Sequence, residues 1–128
     1  MVFIGIALGM LVLASLACET SVSTASISSA KLTTDSAGTA ETTTYTPDQT
    51  FYLAAVLSNA PSDTKLKAIW YAVDDAGAAT NLAEKEIVGG DSPVIFNASN
   101  SNSWPAGKYK VELYLNDKLN QTLEFTVE

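Results

Sequence analysis

The chain has 128 residues, a formal net charge of −7, seven basic residues that are all lysine, no histidine and one cysteine. Without arginine there is no bidentate fork for phosphate, and the acidic balance opposes backbone electrostatics, so no nucleic-acid partner is expected. Without histidine the commonest metal ligand and general base are missing, and one cysteine forms no internal disulfide, so no metal or other cofactor is expected.

Residues 1–17 (MVFIGIALGMLVLASLA) carry no charged side chain. An apolar run this short, closing in small residues, reads as a secretory signal peptide cut just before Cys18. A bilayer span needs about 20 apolar residues, and this run falls short. A retained anchor helix and a buried core helix are the alternative readings. The stretch Ala14-Ser15-Leu16-Ala17-Cys18 resembles the lipobox of prokaryotic lipoproteins. The resemblance implies a diacylglyceryl group on the Cys18 thiol and cleavage that leaves Cys18 as the new N-terminus. It also implies an extracytoplasmic location in the cell envelope, anchored to the membrane. Residues 18–24 then comprise the lipidated cysteine and a flexible Ser/Thr-rich tether. Residues 25–128 form one domain, large enough to bury a core without staples.

The first edge strand is expected at about Ala25–Thr34, followed by turn residues Asp35-Ser36-Ala37-Gly38. Glu41–Thr46 reads as a loop or a short strand. Phe51–Leu57 has two apolar faces, and Ser58–Thr64 is a turn. Lys65–Asp74 alternates Leu66, Ala68, Trp70 and Ala72 against Lys67, Ile69, Tyr71 and Val73. Asp75–Asn81 is a loop. Leu82–Val88 is a charged strand and Pro93–Ala98 another. Ser99–Gly107 is a long polar loop holding Trp104. Lys108–Leu115 and Leu119–Val127 form a closing hairpin about Asn116-Asp117. About seven short strands at regular spacing, with no helical periodicity after Cys18, predict an all-β antiparallel sandwich.

Trp70 in the third strand and Gly107-Lys108-Tyr109-Lys110-Val111 in the sixth resemble the immunoglobulin-like, or fibronectin III-like, domain. The resemblance implies a buried Trp70 and a tyrosine corner at Tyr109. Val111 stands where antibody domains carry their second cysteine, so an apolar contact replaces the disulfide. The last hairpin, from Trp104 to Val127, also resembles that of small immunoglobulin-like domains in prokaryotic lipoproteins.

Candidate chemistry is sparse. Asp74, Asp75 and Asp91 stand at strand ends, where carboxylates either close turns or meet around calcium. Asp48, Glu84, Glu86 and Glu112 offer carboxylates for acid–base work, but charges on an edge strand more often guard against strand-to-strand aggregation. Asn97-Ala98-Ser99 and Asn120-Gln121-Thr122 match the N-glycosylation pattern. Trp104 reads either as a cap on the sandwich or as an exposed aromatic platform. Tyr71 and Tyr114 are expected to face outward beside Lys67 and Lys110, a mixed aromatic and basic surface suited to protein contact. Together these readings predict a monomeric, non-enzymatic binding or structural domain held at the membrane by its lipid. The partner would be an envelope protein or glycan. The alternative is a small envelope enzyme or enzyme inhibitor acting through loops such as Ser99–Ala106.

Overall fold

Apolar residues at every second position give a strand one face to bury. The computed structural model describes residues 24–128, as strands and loops only. The expected signal peptide (1–17), the lipidated Cys18 and the tether up to Ser23 lie outside the described residues. The strands are β1 (Ser26–Thr33), β2 (Thr44–Tyr45), β3 (Phe51–Ser58), β4 (Lys65–Val73), β5 (Ala79–Val88), β6 (Pro93–Ala98), β7 (Gly107–Leu115) and β8 (Lys118–Val127). They form a three-stranded sheet, β1-β3-β6, and a five-stranded sheet, β2-β8-β7-β4-β5.

Most boundaries agree with the alternation to within a residue or two. Strand β5 starts three residues earlier than expected, at Ala79. Asp74 accepts the amides of Ala76 and Ala78 and closes the preceding loop, so Ala79 and Thr80 pair with Val73 and Ala72 at once. The eighth element, β2, spans two residues and runs parallel to β8. It departs from a purely antiparallel reading: the β8 side donates to it twice in parallel register, from Thr126 N–H to the Thr43 carbonyl and from Glu128 N–H to the Tyr45 carbonyl.

The inner faces of the two sheets meet in one core. Phe51, Leu53, Ala55 and Leu57 of β3 face Leu66, Ala68 and Trp70 of β4 and Val111 and Leu113 of β7, all nearly inaccessible. On the second apolar face of β3 the β1–β2 connection lies over Ala54. A Cβ on Gly38, which sits at φ +75°, would lie 2.9 Å from Ala54 Cβ and 3.1 Å from Ile95 Cδ1, so this glycine lets the loop press against the sheet. Asp35 knots that loop by accepting the amides of Thr39 and Ala40 and the Thr39 hydroxyl, and these bonds hold its carboxyl down at about 2.

Register assigns the other loops to one of two ends. The β3–β4 turn, the β5–β6 connection and the β7–β8 turn gather where β1 begins. Thr24 Oγ1 bonds the Asn59 carbonyl, Ala60 N–H bonds Asp91, and Lys65 N–H bonds Asn116 Oδ1. Asn116 and Asp117 both take positive φ, 51° and 70°, as a tight hairpin turn of the expected kind requires. The opposite end holds the β2–β3, β4–β5 and β6–β7 connections and the C-terminus, tied by Trp104 N–H to the Pro47 carbonyl.

Candidate interaction surface

On the outer face of the five-stranded sheet, β4 and β7 set six side chains in a two-by-three block. Antiparallel register puts Lys67 opposite Tyr114, Ile69 opposite Glu112, and Tyr71 opposite Lys110. Side chains directly across a strand pair are near enough to interact. Lys67 Nζ lies over the Tyr114 ring and Lys110 Nζ over the Tyr71 ring, each 5.2 Å from the centroid. Both distances fall within the range of cation–π attraction. Beneath this layer Ile69 is only 8% exposed although it points away from the core.

Glu112 is the hub of the block. Its carboxylate accepts the Tyr114 hydroxyl at 3.0 Å and pairs with Lys110 Nζ at 3.2 Å. Partial burial works against its charge, but the bonds from Tyr114, Lys110 and Tyr71 outweigh this and hold the carboxyl below its ordinary range. The same negative charge raises both tyrosines: Tyr71 mainly through burial and then through Glu112, Tyr114 first through its bond to Glu112. The result is a surface of neutral tyrosines, lysines and one ionised carboxylate, held in fixed orientation. Beside it, a depression of about 490 Å³ is lined by Thr44, Val73, Lys108, Lys110, Glu124 and Thr126.

The structure thus brings Tyr71 and Tyr114 onto the expected face beside Lys67 and Lys110. Trp104 is different. It is 7% exposed, stacks on Phe51 with centroids 4.4 Å apart, and donates from Nε1 to the Gln49 carbonyl at 3.0 Å. Its ring closes the end of the core, so it belongs to the cap and is withdrawn from the interaction surface. The loop that carries it is tied as well, with Asn100 bonded to Ser103 and Asn102.

The remaining carboxylates serve local structure. Asp74 and Asp91 stand at opposite ends of the nine-residue β4 and its neighbours, roughly 25–30 Å apart, too far to share an ion. Among the described residues no three acidic, histidine or cysteine side chains come together as a metal site. Asp48 accepts the Thr46 hydroxyl, which lowers its carboxyl. Glu84 and Glu112 flank Ile69 on opposite sides. A general acid at neutral pH needs a raised carboxyl, and Glu112 and Asp48 are shifted the other way.

In the sequence Glu112 reads as one of four carboxylates offered either for acid–base work or as charge on a strand, and its place between the two tyrosines is not among those readings. The signal was the alternation Lys110, Glu112, Tyr114, which puts all three on one face. Tyr45 lies in the Glu41–Thr46 segment, where no alternation assigns a face. Tyr45 is 1% exposed, packs against Phe51 and Phe125, and donates its hydroxyl to the Thr33 carbonyl.

No family profile and no curated relative matches the sequence. Solved structures do match. An immunoglobulin-like protein from Pseudomonas aeruginosa superposes with a TM-score of 0.57 at 16% identity, over 81% of this chain and 96% of that one. The alkylpurine DNA glycosylase AlkC of Pseudomonas fluorescens, bound to DNA containing an abasic site analog, gives 0.55 at 14% identity. That match covers 83% of this chain but only 31% of the glycosylase. At such identities the likeness concerns fold. Tyr109 donates its hydroxyl to the Pro105 carbonyl at 2.5 Å, Trp70 is 1% exposed at the centre of β4, and Val111 is inaccessible. With these features and the two-sheet topology, residues 24–128 form an immunoglobulin-like β-sandwich.

Proposed function

We propose that this chain is a membrane-anchored extracytoplasmic lipoprotein. Its immunoglobulin-like domain is a non-enzymatic binding module that contacts an envelope protein through the outer face of the five-stranded sheet. The observation that carries the reading is the Lys67–Tyr114, Ile69–Glu112, Tyr71–Lys110 block. Tyrosine supplies large, rigid contact area at low entropic cost, and here both rings are already oriented by neighbouring charges. Trp104, the aromatic ring of the Ser99–Ala106 loop, caps the core and so is not presented for contact. The DNA held by the glycosylase does not carry over to this chain, which has a net charge of −7 and no arginine. The anchor rests on Cys18 and the uncharged run before it.

Two measurements test the proposal. Intact mass of the full chain, exported by its native machinery, is expected to show a species starting at Cys18 with added lipid. A mature chain starting elsewhere, or one without lipid, overturns the anchor. A photo-crosslinking residue in place of Tyr71 or Tyr114, used in the cell, is expected to capture one recurrent envelope protein. Capture by neither, together with peptidoglycan or peptide hydrolysis abolished by Glu84→Gln or Glu86→Gln, overturns the binding-module reading.

A further inference from the structure

We infer that the end of the outer sheet face nearest the anchor rests on the bilayer, with Leu119 and Val88 against the acyl boundary and Lys65 among the headgroups. This rests on the anchor reading above and adds an orientation to it. The two most exposed large apolar side chains among the described residues are Val88, 62% exposed, and Leu119, 53% exposed. They share one sheet face and one end of it. Val88 pairs with Lys65, while Leu119 pairs with Tyr114, which in turn pairs with Lys67. Val88 on β5 and Leu119 on β8 have β4 and β7 between them, and apolar side chains spaced about a lysine such as Lys65 suit a lipid–water boundary.

The covalent chain selects the occupant. Thr24 is fastened to the β3–β4 turn by its hydroxyl, 2.8 Å from the Asn59 carbonyl. Cys18 lies six residues upstream, so any conformation of that segment spans at most about 20 Å. The strands are longer than this, since the nine residues of β4 extend about 30 Å. The end holding Asn59, Val88 and Leu119 therefore stays within that reach of the anchor point, while the end holding Ala76 and Trp104 can lie beyond it. Acidic groups stand at this end as well. Asp117 pairs with Lys65 at 3.1 Å, Asp91 accepts the Ala60 amide, and Glu86 faces Lys67, while Asp63 lies on the β3–β4 turn. The Lys67–Tyr114, Ile69–Glu112, Tyr71–Lys110 block extends from there away from the anchor, open to a protein partner.

The test uses the full lipidated chain in vesicles of phosphatidylcholine and phosphatidylglycerol, with and without brominated acyl chains. Leu119→Trp is compared with Ala76→Trp, and Val88→Trp replaces the first if that variant misfolds. The buried Trp70 and Trp104 contribute the same background throughout. Emission from the L119W chain is expected to shift to the blue and to be quenched by brominated lipid, while the A76W chain shows neither change. If the chain floats with the vesicles and the two variants are equally unquenched, the docking is wrong and the anchor stands. A chain that does not float overturns the anchor, and the docking with it.

Discussion

The Tyr45 hydroxyl donates to the Thr33 carbonyl at 2.8 Å, joining the two-residue β2 of one sheet to the last residue of β1 in the other. The bond is buried, and burial pushes the phenol up to about 12. A phenol raised in the folded state binds its proton more tightly there than in the unfolded chain. Its contribution is whole below about pH 10 and is lost as pH rises towards 12, on the order of 2–3 kcal/mol in all. Urea melts at pH 8 and pH 11.5 are expected to show this loss. Tyr45→Phe is expected to cost about 0.5–1.5 kcal/mol at pH 7 and to flatten the alkaline decline.

Trp104→Ala is expected to destabilise the domain by about 3–5 kcal/mol, because it removes both the stacking on Phe51 and the bond to Gln49. Trp70→Ala, at the centre of the sandwich, is expected to cost a similar amount. Guanidinium denaturation followed by circular dichroism measures both. An unmoved transition for Trp104→Ala would return that ring to the surface.

Tyr109→Phe removes one hydrogen bond, the one to Pro105, and leaves the ring packed against Phe125 and Phe51. The expected cost is about 0.5–1.5 kcal/mol, with no change in secondary structure. A loss as large as that of Trp70→Ala would mean the ring had moved as well.

Thr64 offers a gain. It is 2% exposed, and its hydroxyl finds no hydrogen-bond partner. A buried hydroxyl in that state costs free energy, and valine has the same branched shape without it. Thr64→Val is expected to stabilise the domain by about 1 kcal/mol, read as a rise in melting temperature.

Asp35 sets an acid limit. Its carboxyl is held at about 2 by bonds from Thr39 and Ala40 in the folded chain. A lowered carboxyl contributes stability above the unfolded value and loses it as pH falls from about 4 to about 2. Asp35→Asn is expected to reduce stability at pH 7 and to weaken its fall on acidification. Melts across that range check both.

Much of the fold is determined by alternation alone. Period-two burial in Phe51–Leu57, Lys65–Val73 and Tyr109–Leu115 fixes strands, inner faces and the turns between them, because each side chain's face follows from its position in the chain. The same rule puts Lys67, Tyr71, Lys110 and Tyr114 on the outer face. The pairing of that face is non-local. Which residue stands opposite Tyr71 depends on the register between β4 and β7, segments some forty residues apart, and a shift of two residues would preserve every inner and outer assignment while separating each lysine from its ring. The place of Glu112 as hub and the shielding of Ile69 follow from that register. Tyr45 and Trp104 needed the tertiary structure for another reason. They lie in connections where no periodicity assigns a face, and an amphipathic ring suits core or surface equally until its polar atom meets a carbonyl, as theirs do at Thr33 and Gln49.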